Sequence, residues 1–294
     1  MFFQSHTGEI ASLLTAVCWM LSAIFFEKAG RRVGSLSVNI IRLFLGILFL
    51  GVTTLFTRGM FFPTDATTYN WLWLGLSGVI GFFLGDLFLF KSYIIIGSRT
   101  SQLVMSLAPM VTAVIGWFFL NEILDLKSIL GILVSVSGIM LAVAGKRLRL
   151  NVPLRGFLYA MGGMLGQAVG LILSKKGMGD YDPVAATQIR AIFGFVSFAL
   201  LVTFLKRWRR VLRTSSDRTV MKAITVGTVF GPFIGVALSL YAVQHTETGI
   251  ASSLMALTPI FIILPTAIMF KEKVTAQQVI GAVISIAGAT IFFL

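Results

Sequence analysis

Charge is scarce in this chain. Of its 294 residues 12% are charged, and 11 acidic side chains stand against 24 lysines and arginines. A soluble domain would carry roughly a quarter charged residues. With 57% of residues hydrophobic, the chain has no polar coat, and a bilayer is the environment that needs none. The one cysteine, Cys18, excludes an intrachain disulfide and is by itself a weak site signal. The two histidines, His6 and His245, have no metal-spaced partner. No phosphate-binding glycine loop is present, which argues against ATP-driven work. No nucleophile stands beside a base and no paired carboxylates lie in apolar segments, which argues against a membrane-embedded enzyme. Filter loops and rings of like charge are missing as well, which argues against a channel. No cofactor is expected.

The apolar residues fall into ten runs of about transmembrane length, since crossing the hydrocarbon core takes about 20 residues. They cover about 8–27, 36–57, 69–92, 99–120, 127–145, 154–174, 183–205, 220–243, 248–270 and 275–293. The gaps are too short for an extramembrane domain. The first run lacks a basic leader and a small-residue cleavage site before Glu27, so it is expected to be a span rather than a cleaved signal peptide.

The formal net charge of +13 is concentrated in short loops. Lys206, Arg207, Arg209, Arg210, Arg213, Arg218 and Lys222 cluster after the seventh span, without the interleaved aromatics that bind single strands, so no nucleic-acid partner is expected. Loops after odd-numbered spans, with their flanks, hold 18 of the 24 basic residues; the opposite loops hold Arg58, Lys127, Lys175 and Lys176. The positive-inside rule then puts the odd loops in the cytoplasm and both termini outside.

The two halves resemble each other. At an offset of 150, Gly81 matches Gly231, Gly85 matches Gly235, Pro109 matches Pro259, Glu122 matches Glu272 and Ser135 matches Ser285. At an offset of 148, Lys28 matches Lys176 and Arg42 matches Arg190. Prolines, glutamates and arginines are rare in spans, so these pairs carry the comparison. Each half holds five spans. Five is odd, so the second half enters the membrane from the opposite face. The expected architecture is all-α integral membrane, ten transmembrane helices in two inverted five-helix repeats, residues 1–147 and 148–294. Inverted repeats are typical of secondary transporters, with the substrate site near the midplane. A receptor or scaffold needs neither the repeat nor broken helices.

The runs SLAPMVTAVIGWFFLNE and ALTPIFIILPTAIMFKE, each followed by a glycine-rich span, resemble the signature blocks of EamA domains in the drug/metabolite transporter superfamily. The paired IIRLFLG and QIRAIFG runs resemble that family's second-helix arginine segment. The resemblance covers nearly the whole chain. It implies a ten-helix carrier of amino acids, nucleotide precursors, drugs or other metabolites, and does not fix which. Family members are often described with cytoplasmic termini, opposite to the charge count.

Ionisable residues inside a bilayer are costly and mark cavities or partners. Arg42 and Asp86 each lie six residues from the same membrane face, roughly 9 Å deep at 1.5 Å per residue, so adjacent helices can pair them. The pair is read as a packing device, with Asp86 as a proton or cation site the rival reading. Val236 stands where a second Asp86 would be, leaving Arg190 without an equivalent partner. Arg190 either holds a substrate carboxylate or phosphate in the cavity or snorkels to the outer interface. Glu122 and Glu272 are read as structural, capping the helices that follow them or making interface contacts, with gating the rival reading. Pro109 and Pro259 are read as mid-span kinks. Trp19, Gln102, Ser106, Gln167, Tyr241 and Ser252 complete the expected substrate pathway. Helix–helix glue is the plainer reading of any one of them.

The expected function is a secondary, non-ATP transporter in the inner (plasma) membrane. It exports amino acids or related compounds by alternating access, as a monomer or homodimer, with protons a possible coupling ion. A multidrug or cation efflux carrier is the alternative.

Overall fold

The computed structural model describes residues 6–143, 153–261, 263, 265 and 275–291. Among these residues every regular element is helical. Ten helices follow the ten apolar runs: α1 Thr7–Val33, α2 Ser35–Arg58, α3 Thr68–Ser98, α4 Thr100–Leu120, α5 Leu126–Val143, α6 Leu154–Met178, α7 Pro183–Phe204, α8 Arg218–His245, α9 Thr248–Phe261 and α10 Ala276–Thr290. Seven are long and apolar enough to cross a membrane; α5, α9 and α10 are apolar but shorter over the described residues. A short surface helix, Trp208–Ser215, carries part of the basic cluster.

Local sequence marks the boundaries. Thr67 caps α3 with a capping box to Asn70. Asp182 caps α7 through the Ala185 N–H, with Pro183 at the first helical position. Gly34, at φ 88°, turns the chain from α1 into α2, a conformation open to glycine at little cost. Phe56, Leu126, Leu200 and Phe204 are exposed on the outside of the bundle, whereas Arg42, Asp86, Arg190 and many serines and threonines are buried. This inside-out distribution suits a lipid surround.

The odd loops meet at one end of the bundle. There Arg32 pairs with Asp217 at 2.8 Å and Arg210 donates to the Val33 carbonyl at 3.1 Å. The even loops meet at the other end, where Asn70 donates to the Gly177 carbonyl at 2.7 Å and Gln244 to the Gly179 carbonyl at 2.7 Å.

Helix α5 packs on α10 through glycines and serines, which let backbones approach closely. A Cβ on Gly138 would lie 2.4 Å from the Ser285 nitrogen, and one on Gly288 would lie 2.4 Å from the Ser135 nitrogen. A Cβ on Gly281 would meet the Ala142 nitrogen at 2.3 Å. The contacts 135–288, 138–285 and 142–281 step in opposite directions along the two helices, so these repeat-mates run antiparallel. Reciprocal contact between matched residues is what a two-fold axis produces. The halves also exchange helices: α6 packs on α3, where Gly170 abuts Gly81, and α1 packs on α8, where Ser22 abuts Gly231. Residues 144–152, around the expected boundary between repeats, lie outside the described residues.

Candidate functional site

A cavity of about 120 Å³ lies midway along the helices, walled by α1 to α4 and α6 to α9. Four local departures from straight α-helix surround it. Helix α3 widens to a π-helix over Gly78–Gly85, and α8 does so over Val229–Phe233. Such turns occur often at functional sites. Helix α4 breaks at Ser106–Leu107, where the Leu107 N–H bonds to the Val104 carbonyl, and α9 breaks at Ala256–Leu257, where the Leu257 N–H bonds to Leu254. The breaks fall at matching repeat positions. Pro109 and Pro259 therefore sit in the first turn of a new segment, not as kinks within a continuous helix. A first-turn proline forfeits no intrahelical bond, because that N–H has no partner in any helix.

Asp86 directly follows the π segment of α3. Gly85 beside it touches the α6 backbone at Gly166 and Gln167, which brings Gln167 within reach. Asp86 forms a buried ion pair with Arg42, and its other oxygen accepts from Gln167 Nε2 at 2.6 Å. Arg42 Nε donates to Asn39 Oδ1 at 2.9 Å. The Arg42 guanidinium also lies among three aromatic rings, 4.8 Å from the centre of Phe90, 5.5 Å from Phe26 and 5.9 Å from Phe82. The pairing expected from equal depth is thus present.

Arg190 is 3% exposed and lines the cavity; it does not reach the outer interface. Its guanidinium stacks over Phe82 at 4.7 Å. Among the described residues it forms no ion pair, and its Nε has no hydrogen-bond partner. The wall thus carries two arginines and, among the described residues, one carboxylate.

The structure gathers Trp19, Arg42, Asp86, Gln102, Ser106, Gln167, Arg190 and Ser252 around this cavity. Tyr241 stands apart: its ring stacks on His245 at 4.1 Å toward the end of α8. Tyr93, Phe82, Phe26, Phe90 and Pro232 also line the wall. Tyr93 accepts a hydrogen bond from Gln102 Nε2 at 2.8 Å. A pattern could have found two of these. Positions 82, 86 and 93 recur at helical spacing on one face of α3. Of the two structural readings of Glu122, the interface contact is the one present, and the residue does not cap the helix that follows it. Its carboxylate accepts from the Thr248 N–H at 3.0 Å, at the start of α9 in the other half, and from Lys175 Nζ at 2.6 Å. Its repeat-mate Glu272 lies outside the described residues.

Comparison with known proteins agrees with this arrangement. One solved crystal structure superposes with a TM-score of 0.72, covering 97% of this chain and 96% of its own, at 15% identity, which shows the fold alone. An "uncharacterized transporter" of Archaeoglobus fulgidus is 23% identical over 211 residues, 72% of this chain and 73% of the relative. A protein of Salmonella typhimurium described as a "probable amino-acid metabolite efflux pump" is 25% identical over 199 residues, 64% of each chain. The EamA-like transporter family model matches twice, at residues 6–144 and 154–294, one copy per half. This multi-pass membrane protein belongs to the EamA-like transporter family.

Proposed function

We propose that the chain is a secondary carrier that exports small amino-acid-related metabolites across the inner (plasma) membrane by alternating access. The carrying observation is a cavity midway along the helices whose wall is drawn from both inverted halves. In such an arrangement the two halves rock around a fixed site. The broken helices and π segments at matching positions supply places where the backbone can flex. Export of amino-acid metabolites is taken from the Salmonella relative's description. The proposed pathway runs along Trp19, Arg42, Asp86, Gln102, Ser106, Gln167, Arg190 and Ser252. Each half, 1–147 and 148–294, is proposed to move as a unit. The cation-efflux reading is disfavoured by two arginines against one aspartate among the described residues of the wall.

Protons are the proposed coupling ion, with Asp86, the carboxylate among the described residues of the wall, as their carrier. Purified protein in liposomes, loaded with labelled amino acids and their metabolites, tests both parts. Saturable flux that accelerates with a pH gradient, and loses that acceleration in Asp86→Asn, is expected. Absence of saturable flux for every solute would sink the carrier reading. Flux indifferent to the gradient would sink the coupling alone.

A further inference from the structure

We propose that the cavity selects solutes bearing one carboxylate and no ammonium, held by Arg190, and discriminates against zwitterionic amino acids. This rests on the carrier reading and narrows its substrate class.

The charge inventory leads there. Both Asp86 oxygens are engaged, one by Arg42 and the other by Gln167 at 2.6 Å. Arg42 is in turn satisfied by Asp86 and Asn39. The charges of Arg42 and Asp86 offset each other. Although Asp86 also attracts Arg190 through space, the two form no ion pair, so the three groups together keep one positive charge. Arg190 is the cation left over on the wall, 97% buried, with an unpartnered Nε. A buried unpaired donor carries an unrecovered desolvation cost, and a charged acceptor removes it. The ligand that best completes Arg190 is therefore an anion with two coplanar oxygens, because guanidinium binds carboxylate as a fork.

Geometry fits that role. The Arg190 guanidinium carbon lies 4.7 Å from the centre of the Phe82 ring, and among the described residues none of its nitrogens donates to a side chain. Gly81 has no side chain where one would lie 3.3 Å from Arg190 Nη2. Ala108 and Thr112 of the wall belong to the first turns of the Ala108–Leu120 segment of α4, whose positive end adds to the same field. An ammonium beside that carboxylate meets no free acidic group among the described wall residues. It would have to displace Arg42 from Asp86. Apart from polar residues such as Gln102, Ser106 and Ser252, the wall is largely aromatic and aliphatic, with Trp19, Phe26, Phe90, Met105 and Leu171, which suits an apolar body.

Three probes on one skeleton isolate the charge: 3-phenylpropanoate (anion), phenylalanine (zwitterion) and 2-phenylethylamine (cation). Binding to the purified full chain is measured by calorimetry, and flux in proteoliposomes. 3-Phenylpropanoate is expected to bind about tenfold or more tightly than phenylalanine, as a desolvated ammonium left without a partner implies, with 2-phenylethylamine weakest. Arg190→Gln should abolish the preference. Arg190→Lys should keep part of it, which guards against a misfolded variant, and a single symmetric size-exclusion peak checks both. Equal affinity for anion and zwitterion, no binding of any probe, or a preference that survives Arg190→Gln overturns the inference. Arg190-dependent binding without flux sinks the carrier reading and leaves the site standing. Flux of amino acids with no anion preference does the reverse.

Discussion

Glu122, at the end of α4, holds the first turn of α9 at Thr248: its carboxylate accepts from both the Thr248 N–H and hydroxyl. Lys175 at the end of α6 completes the latch, donating to Glu122 at 2.6 Å and to the Thr246 carbonyl at 2.8 Å. The Ser98 N–H at the opposite end is held in the same way by Glu27, at 3.2 Å. The repeat-mates Ser98, which ends α3 just before broken α4, and Thr248, which starts broken α9, are thus each held by a carboxylate, one at each end of the bundle. Removing the carboxylate loses a helix cap, worth about 1 kcal/mol, and a partly exposed ion pair worth less. Glu122→Ala should lower the melting temperature modestly. It should also raise labelling, by an impermeant thiol reagent, of a cysteine placed at Thr246 in a Cys18→Ala background. An unchanged labelling rate would show that the latch does not control that end.

Arg42 and Asp86 should behave as one unit. Each is at least 94% buried, so losing either partner strands the other's charge in a low-dielectric interior. That costs about 3–5 kcal/mol for single variants, whereas removing both charges costs much less. Arg42→Gln and Asp86→Asn should each destabilise the purified protein strongly, and the double variant should melt above either single. Additive losses in this double-mutant cycle would contradict a closed pair.

The α5–α10 crossing gives a test of symmetry. Because Cβ atoms at Gly138 and Gly288 would both meet backbone nitrogen at 2.4 Å, neither can be relieved by a side-chain rotation. Gly138→Leu and Gly288→Leu should destabilise equally, by about 3 kcal/mol, the upper range for overpacking. Val283→Leu, on the exposed face of α10, should leave thermal unfolding unchanged. Unequal losses at the two glycines would mean that the axis is not equivalent from its two sides.

Much of this was legible in the sequence because bilayer physics leaves strong marks. Span length, five spans per half, the matched Arg42 and Arg190, and the pairing of Arg42 with Asp86 by depth all follow from apolar length and from the cost of buried charge. What escaped depends on which helix packs beside which. Nothing in the sequence near Glu122 announces that it reaches Thr248, because helix exchange between halves brings 126 residues of chain separation together. Tyr241 looked like Ser252 by polarity, yet rotation about α8 turns it toward His245. The π segments left no periodic signature, since a few residues of wider turn barely shift an apolar pattern. The half-helices starting near Pro109 and Pro259 were marked by those prolines, but proline alone does not separate a kink from a fresh start.

Pro232 gives the test of the π segments. It sits inside Val229–Phe233 and lines the cavity, at the position that Phe82 holds in the other half. Proline has no N–H to give and its ring crowds the preceding turn, so it favours the wider geometry where an ordinary α-turn would strain. Pro232→Ala restores the donor. The segment can then relax toward α-helix, which favours alanine by up to about 3 kcal/mol intrinsically. If this turn flexes during the transport cycle, stability and rate should move oppositely: a higher melting temperature with several-fold slower flux in proteoliposomes. That is the trade expected where function needs a strained hinge. A variant that melts lower and transports at the parental rate would show that packing against α2, where Pro232 meets Gly46, sets the turn and that it plays no part in switching.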